Sequence, residues 1–203
     1  MNRKTAARAT LFLAAGAVLA ACPPNDRDPD PEGLPLTDPA VEEPAPDFRA
    51  QDKEVTLRDG EGNEIGTATL TDEGEEGVRI HVVARNLSPG PSGIHFHEDA
   101  VCEGPDFESS GGHFNPDDRE HGFDNPRGFH AGDAENLPVE PDGTVDAEVM
   151  APRARMDDGE MSVVAGRGTA LVIHDGEDDY MTDPAGDSGD RIACGVVQQG
   201  ATD

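Results

Sequence analysis

Six of the seven histidines in this 203-residue chain stand in short, spaced groups. They are His95-Phe96-His97, Gly112-His113-Phe114-Asn115-Pro116, His121, Gly128-Phe129-His130-Ala131-Gly132-Asp133 and Val172-Ile173-His174-Asp175. Imidazole binds borderline transition metals, and this set with its carboxylate exceeds what one ordinary site takes. The pattern therefore points to two adjacent metals. On a strand, His95 and His97 project to one face, so both rings can reach a single ion. His174 supplies a third nitrogen if its segment lies alongside. His113, His121 and His130 recur along a glycine-rich stretch, with Asp133 close behind. Three imidazoles and a carboxylate match a closed tetrahedral zinc site, which would also give a long loop a reason to be ordered.

The elements that must position these groups read as β. Val55 and Leu57, the Asp59-Gly60-Glu61-Gly62-Asn63 turn and the run Ile65 to Leu70 predict a hairpin. Val78, Ile80 and Val82 alternate with Arg79 and His81, the mark of a half-buried strand, which leaves His81 as a surface residue. Further short strands are expected near 93–98, 143–151, 169–175 and 192–198, each bounded by Gly, Pro or Asp. No stretch carries a sustained helical period. Many Gly/Pro turns and few aromatics fit a sandwich or barrel of short antiparallel strands. Two excursions interrupt it, 99–135 and 176–190, and loops of that length inside a domain are usually functional or disordered. The histidines favour function.

Composition indicates where such a site would work. Acidic residues number 43 against 15 basic ones, a balance that disfavours nucleic acid and anionic lipid surfaces as partners. Arg3, Lys4 and Arg8 precede an apolar run, Leu11 to Ala21, too short for the ~20 residues of a membrane span but suited to a secretory leader. Removing residues 1–21 takes away three cations and no acid, lowering the formal charge from −28 to −31 and leaving Lys53 as the lone lysine. An acid-rich, lysine-poor surface suits a salty habitat or a very soluble exported protein. The leader ends Leu19-Ala20-Ala21-Cys22, which resembles the lipobox of bacterial lipoproteins and implies a lipid on Cys22. An ordinary leader with an incidental cysteine is the alternative. Residues 22–50 are dense in proline and acid and should form an extended tether, its 24-residue core from Pro23 to Pro46 spanning up to roughly 70 Å. The expected organisation is a leader (1–21), a lipidated tether (22–50), one domain (51–199) and a short tail (200–203). The destination is the cell envelope, periplasm-facing or on the outer surface, with the membrane touched only through the anchor. With Cys22 assigned to the anchor, Cys102 and Cys194 remain as a pair in an oxidising compartment, either as a disulfide or as two thiols free or ligating a metal.

Taken together, His95-Phe96-His97, Gly112 to Pro116, His121, His130-Ala131-Gly132-Asp133, Leu171-Val172-Ile173-His174 and Gly189-Asp190-Arg191-Ile192-Ala193-Cys194-Gly195-Val196 resemble the copper/zinc superoxide dismutases of the bacterial, exported kind. The resemblance covers roughly residues 51–199. It implies an eight-stranded antiparallel Greek-key β-barrel with long metal-binding loops, a topology the alternation alone does not specify.

It also implies roles. His95, His97 and His174 match copper ligands, and His113 matches the histidine that bridges both metals. His121, His130 and Asp133 complete a zinc site with His113. Cys102 and Cys194 match a disulfide tying the metal-bearing loop to the barrel. Asp178 falls where a carboxylate links a copper ligand to a zinc ligand, although Asp179 is adjacent. Arg191 matches an arginine beside the copper that orients a small anion. The substrate would be superoxide, converted to oxygen and hydrogen peroxide, with Arg191 and His113 as the catalytic side chains. Metal capture without turnover, by an envelope lipoprotein on the same barrel, is the alternative. One departure from the family stands out: the loop 176–190 carries no cation and many acids, so the usual attraction of superoxide is in doubt. The oligomeric state, monomer or homodimer, stays open.

Overall fold

The computed structural model describes residues 52–198. The expected leader (1–21), the tether (22–50) with Cys22, and the tail (200–203) lie outside them.

The hairpin forms as its turn chemistry requires. Strands β1 (Lys53–Asp59) and β2 (Glu64–Asp72) pair antiparallel. Between them the Asp59 carboxylate accepts the backbone N–H of Glu61 at 3.0 Å and of Asn63 at 2.9 Å. Gly62 takes the left-handed conformation that closes the turn, with φ of 86°. Strand β3 (Val78–Ala84) follows in register with β2. Its Val78, Ile80, Val82 and Ala84 are buried, while His81 faces outward and meets Asp146 at 2.8 Å.

The remaining strands are β4 (Gly90–Ser92), β5 (Ile94–His97), β6 (Leu137–Val139), β7 (Val145–Ala151), β8 (Ala170–His174) and β9 (Arg191–Val196). Seven of the nine form one antiparallel sheet in the order β5-β8-β9-β1-β2-β3-β7, and β4 pairs with β6. The expected count of eight is met when β4 and β5 are taken as one extended run. Gly93 separates them, crossing from the β6 pairing to the β8 pairing, where its N–H donates to Gly176 and its carbonyl accepts from His174. Strand β6 pairs with β4 and β7 closes one edge of the seven-stranded order, yet the two are consecutive in the chain. A tight turn joins them, with Glu140 N–H on the Thr144 carbonyl at 2.8 Å, so the sheet curls toward a barrel. The crossovers from β3 to the far edge and back to β7 are of Greek-key type. Among the described residues the helical content is two 3₁₀ turns, Gly74–Glu76 and Glu108–Ser110.

One feature of the burial pattern positions the site. β5 and β8 are buried at every residue, whereas β3 alternates. Ile94, Phe96, Leu171 and Ile173 join the main core. The opposite face of β8 carries Ala170 and Val172, which pack in a second cluster with Phe107 and Cys194. The loops therefore cover the outer face of these two strands, and that face is where His95, His97 and His174 project. Backbone bonds seat the first loop on the β5 edge: Phe114 N–H donates to Phe96 at 2.8 Å, and Phe96 N–H donates to Gly132 at 2.9 Å. A bare edge strand is thereby covered.

Candidate metal centre

Each histidine on the inner side of these loops spends one ring nitrogen on a fixed partner. His97 Nδ1–H donates to the Gly111 carbonyl at 3.0 Å, and His174 Nδ1–H donates to the Gly189 carbonyl at 3.1 Å. His95 Nε2–H donates to Asp178 Oδ2 at 2.8 Å. His113 Nδ1 stands 2.9 Å from Asp133 Oδ1. The other nitrogens of these four rings, His95 Nδ1 and the Nε2 atoms of His97, His113 and His174, are buried and have no hydrogen-bond partner. Buried polar atoms of this kind are rare and costly, and each bond made by the outer nitrogen sets the tautomer that leaves an inward lone pair. The four residues offer donor atoms within 4.8 Å of one another. Four unpaired imidazole nitrogens facing one point fit a transition metal such as copper.

The second donor set is tighter. Asp133 Oδ1 lies 2.9 Å from His113 Nδ1, 3.0 Å from His121 Nδ1 and 3.2 Å from His130 Nδ1. His113 Nδ1 and His130 Nδ1 are 3.4 Å apart. Donors about 2.0–2.1 Å from a tetrahedral zinc stand roughly 3.3 Å from one another, so these spacings fit the edges of such a tetrahedron. The second Asp133 oxygen accepts the backbone N–H of Gly122 and of His130, both at 3.0 Å, which orients the carboxylate. His113 belongs to both sets, with Nδ1 toward one and Nε2 toward the other.

Asp178 joins the two sets. Its Oδ2 holds His95, and its Oδ1 accepts His121 Nε2–H at 2.9 Å. Of the neighbouring acids, Asp178 is buried and Asp179 exposed, so Asp178 is the carboxylate that reaches inward. Asn136 clasps the Asp178 backbone from both sides, donating Nδ2–H to its carbonyl at 2.8 Å and accepting its N–H at 2.9 Å. Tyr180 N–H donates to Asp178 Oδ1 at 2.7 Å, and Asp183 Oδ1 accepts His121 N–H at 2.8 Å. Asn136 and Asp183 carry no mark in the sequence, because they meet Asp178 and His121 across 42 and 62 residues of chain, whereas Tyr180 meets Asp178 within one loop.

Burial and these contacts set the charges of the metal-free groups. Burial, aided by the neighbouring His95, pushes His113 down to about 3. It brings His174 down to about 4 and holds His97 well below the usual imidazole range. Burial opposes charge on His121 as well, but hydrogen bonds to Asp133 and Asp178 outweigh it and raise that ring to about 9. Desolvation likewise disfavours the charged form of both aspartates. The imidazoles on Asp133 and those on Asp178 win, holding both carboxyls well below the ordinary range. The site thus holds neutral rings on one side and a charged cluster around two carboxylates on the other.

Arg191 is placed by a bulge that the sequence pattern does not reveal. Ile173 pairs with Ala193, but His174 pairs with Arg191, which leaves Ile192 as an extra residue packed against the main core. The inserted residue turns Arg191 to the face shared with Cys194, the face of the histidines. Its guanidinium donates to the Phe107 carbonyl at 2.8 Å, to the Gly111 carbonyl at 2.9 Å and to Ser110 Oγ at 3.1 Å. Gly111 therefore holds both Arg191 and His97. The segment from 102 to 111 is fastened by the Cys102–Cys194 disulfide, with Cα atoms 5.7 Å apart. In front of Arg191 lies a cleft of about 510 Å³ lined by Pro105, Asp106, Glu108 and Asp190. Its acids come from both loops, Asp106 and Glu108 from the first and Asp190 from the end of the second.

Gly186 has φ of 63°, and a Cβ there would fall on the Asp178 carboxylate. Gly186→Ala should therefore cost more than the about 1–2 kcal/mol of a left-handed non-glycine residue, because the carboxylate must also leave His95 or His121. Urea unfolding measures the loss; an unchanged midpoint would contradict the packing described.

Residues 64–197 match the family model described as copper/zinc superoxide dismutase. Superoxide dismutase-like protein YojM of Bacillus subtilis is 45% identical over 145 residues, covering 70% of this chain and 74% of that protein. The copper/zinc superoxide dismutase 1 of Aquifex aeolicus is 46% identical over 139 residues, covering 68% of this chain and 82% of the relative. Among solved structures, a SOD-like protein from Bacillus subtilis is similar with a TM-score of 0.68 at 42% identity, covering 71% of this chain and 97% of that one. Copper/zinc superoxide dismutase from Brucella abortus matches with a TM-score of 0.60 at 29% identity, covering 72% of this chain and 99% of that one.

Proposed function

The chain belongs to the copper/zinc superoxide dismutase family, and from that membership we propose that it is an active dismutase. In this reading His95, His97, His113 and His174 hold copper, and His113, His121, His130 and Asp133 hold zinc. The observation that carries it is the set of four buried imidazole nitrogens without partners, aimed at one point. When bound, copper supplies the one-electron exchange by which one superoxide becomes oxygen and a second, with two protons, becomes hydrogen peroxide, while zinc holds its side of the loop. The protein's own groups do the rest. Arg191 presents a fixed fork of donors at the mouth of the site and orients the small anion. Its pose is held by the Phe107 and Gly111 carbonyls, so little reorganisation accompanies binding. His113 holds or passes a proton at Nε2, and Asp133 keeps its ring in place from the Nδ1 side. Asp178 fixes the rings of His95 and His121 together, so that neither set relaxes independently.

Export as a lipoprotein is part of the same proposal. Leu19-Ala20-Ala21-Cys22 supports a lipid anchor, and the proline- and acid-rich stretch supports a tether, with the domain facing the periplasm or the outer surface. The disulfide suits that oxidising setting.

A second reading is metal binding without turnover. It draws on one observation, the "dismutase-like" name of the 45% identical relative. One experiment separates the two: produce the full chain in an oxidising compartment and measure bound copper, bound zinc and superoxide consumption. The dismutase reading expects both metals and rapid consumption; stoichiometric metal with no consumption would sink it. The same assay run across ionic strength tests the approach. Asp106, Glu108 and Asp190 border the cleft and repel an anion, and that repulsion fades beyond a Debye length of about 8 Å near physiological salt. The rate should rise with added salt, and a steady fall would show that the local charge of Arg191 dominates.

A further inference from the structure

A side chain beyond the β7 end of the barrel also holds the loop that bears His113, His121, His130 and Asp133. Arg153 lies two residues beyond the end of β7. Its guanidinium takes the Asp117 carboxylate with both nitrogens, NH2 to Oδ2 at 2.7 Å and NH1 to Oδ1 at 3.3 Å. NH1 also donates to the Phe129 carbonyl at 2.5 Å, and the guanidinium carbon stands 5.9 Å from the centre of the Phe129 ring. Asp117 lies midway between His113 and His121 in the chain, and Phe129 immediately precedes His130. One planar fork thus spans the two limbs that deliver three of the four donors. Arg119 adds a bridge within the loop, donating to Asp117 at 2.7 Å and to the Gly128 carbonyl at 3.3 Å.

The position differs from an ordinary surface pair. The Arg153 side chain is 19% exposed and that of Asp117 29%, and bidentate pairing with a carboxylate is the strong, directional form of an ion pair. Arg153, and then Arg119, hold the Asp117 carboxyl down to about 2 despite some desolvation. A lysine would keep the charge but could not hold both limbs.

We propose that Arg153 is a positioning residue for the zinc-side donors: it fixes the two limbs of the 113–133 loop at the spacing at which those donors converge. A divalent metal then binds a loop that is already ordered, and less of its binding free energy is spent on ordering. The inference rests on the reading of His113, His121, His130 and Asp133 as a metal site.

The test uses the full chain, oxidised and loaded with copper and zinc, as Arg153→Gln, Arg153→Lys, Asp117→Asn and the Arg153→Gln/Asp117→Asn double variant. Zinc transfer to a chelator, copper retention, and the visible absorption of cobalt(II) placed in the zinc position are followed. Arg153→Gln should weaken zinc retention about 10-fold, the low end for losing a partner that orients a metal site. Copper retention should hold, and the cobalt spectrum should change. Asp117→Asn should match it, the double variant should be no worse than either single, and Arg153→Lys should fall between. Zinc retention at the wild-type level in Arg153→Gln would overturn the proposal, as would equal weakening of copper and zinc, the sign of general destabilisation. If Arg153→Gln does not fold, the lysine variant decides on the same readouts. Failure of the wild-type chain to take up zinc is a separate result, and it would overturn the metal-site reading and this inference with it.

Discussion

Replacing His113 with alanine should remove dismutase activity and weaken both metals at once. Its ring is the one residue common to the two donor sets, with Nδ1 2.9 Å from Asp133 and Nε2 buried without a partner. Every other donor serves one set, so His121→Ala should weaken zinc far more than copper, and His174→Ala the reverse. Losing the shared ring should cost more than the roughly 10–100-fold that loss of an outer hydrogen-bond partner costs a metal site. Metal content of the purified variants, read beside superoxide consumption, checks the pattern. A His113→Ala protein that kept both metals and near-normal turnover would show that the two sets are independent.

Removing the disulfide should have the largest effect on stability. Cys102 and Cys194 are 92 residues apart, and closing a loop of that length is worth about 4–5 kcal/mol in the chain-entropy model. That is a large share of the about 5–15 kcal/mol by which a domain is stable at all. The double alanine variant should therefore unfold at much lower urea. A second consequence follows from position. The bond fastens the segment that supplies the Phe107 and Gly111 carbonyls to Arg191, and Gly111 also holds His97. Turnover per bound copper should thus fall even in the fraction that stays folded. A variant with an unchanged unfolding midpoint, or with full turnover per copper, would contradict one arm of this argument.

Much of the framework could be read in the chain because local rules dictated it. The alternation of Val78, Ile80 and Val82 and the Asp59 to Asn63 turn act over a few residues, and each formed as expected. β6 escaped notice for a local reason too. It is three residues long with Pro138 at its centre, which opposes Pro91 of β4, and proline removes the donor by which a strand announces itself. The irregular connection 152–169 carried no signal either, although Arg153 lies in it.

The β character of the domain, the inventory of candidate donors and the cation-free, acid-rich second loop could all be read from the chain alone. These are set by residue type and short-range spacing, which survive in the unfolded chain. The nitrogen of each ring that faces inward, the contact of Asp178 with both sets and the turn of Arg191 to the face of the histidines arise from packing of the folded chain. Those outcomes depend on residues brought together across 42 to 83 positions of chain, Asn136 with Asp178 and His95 with Asp178, and on the one-residue bulge at Ile192. Spacing along the chain carries no information about a lone pair's direction; a hydrogen bond to a distant carbonyl or carboxylate does.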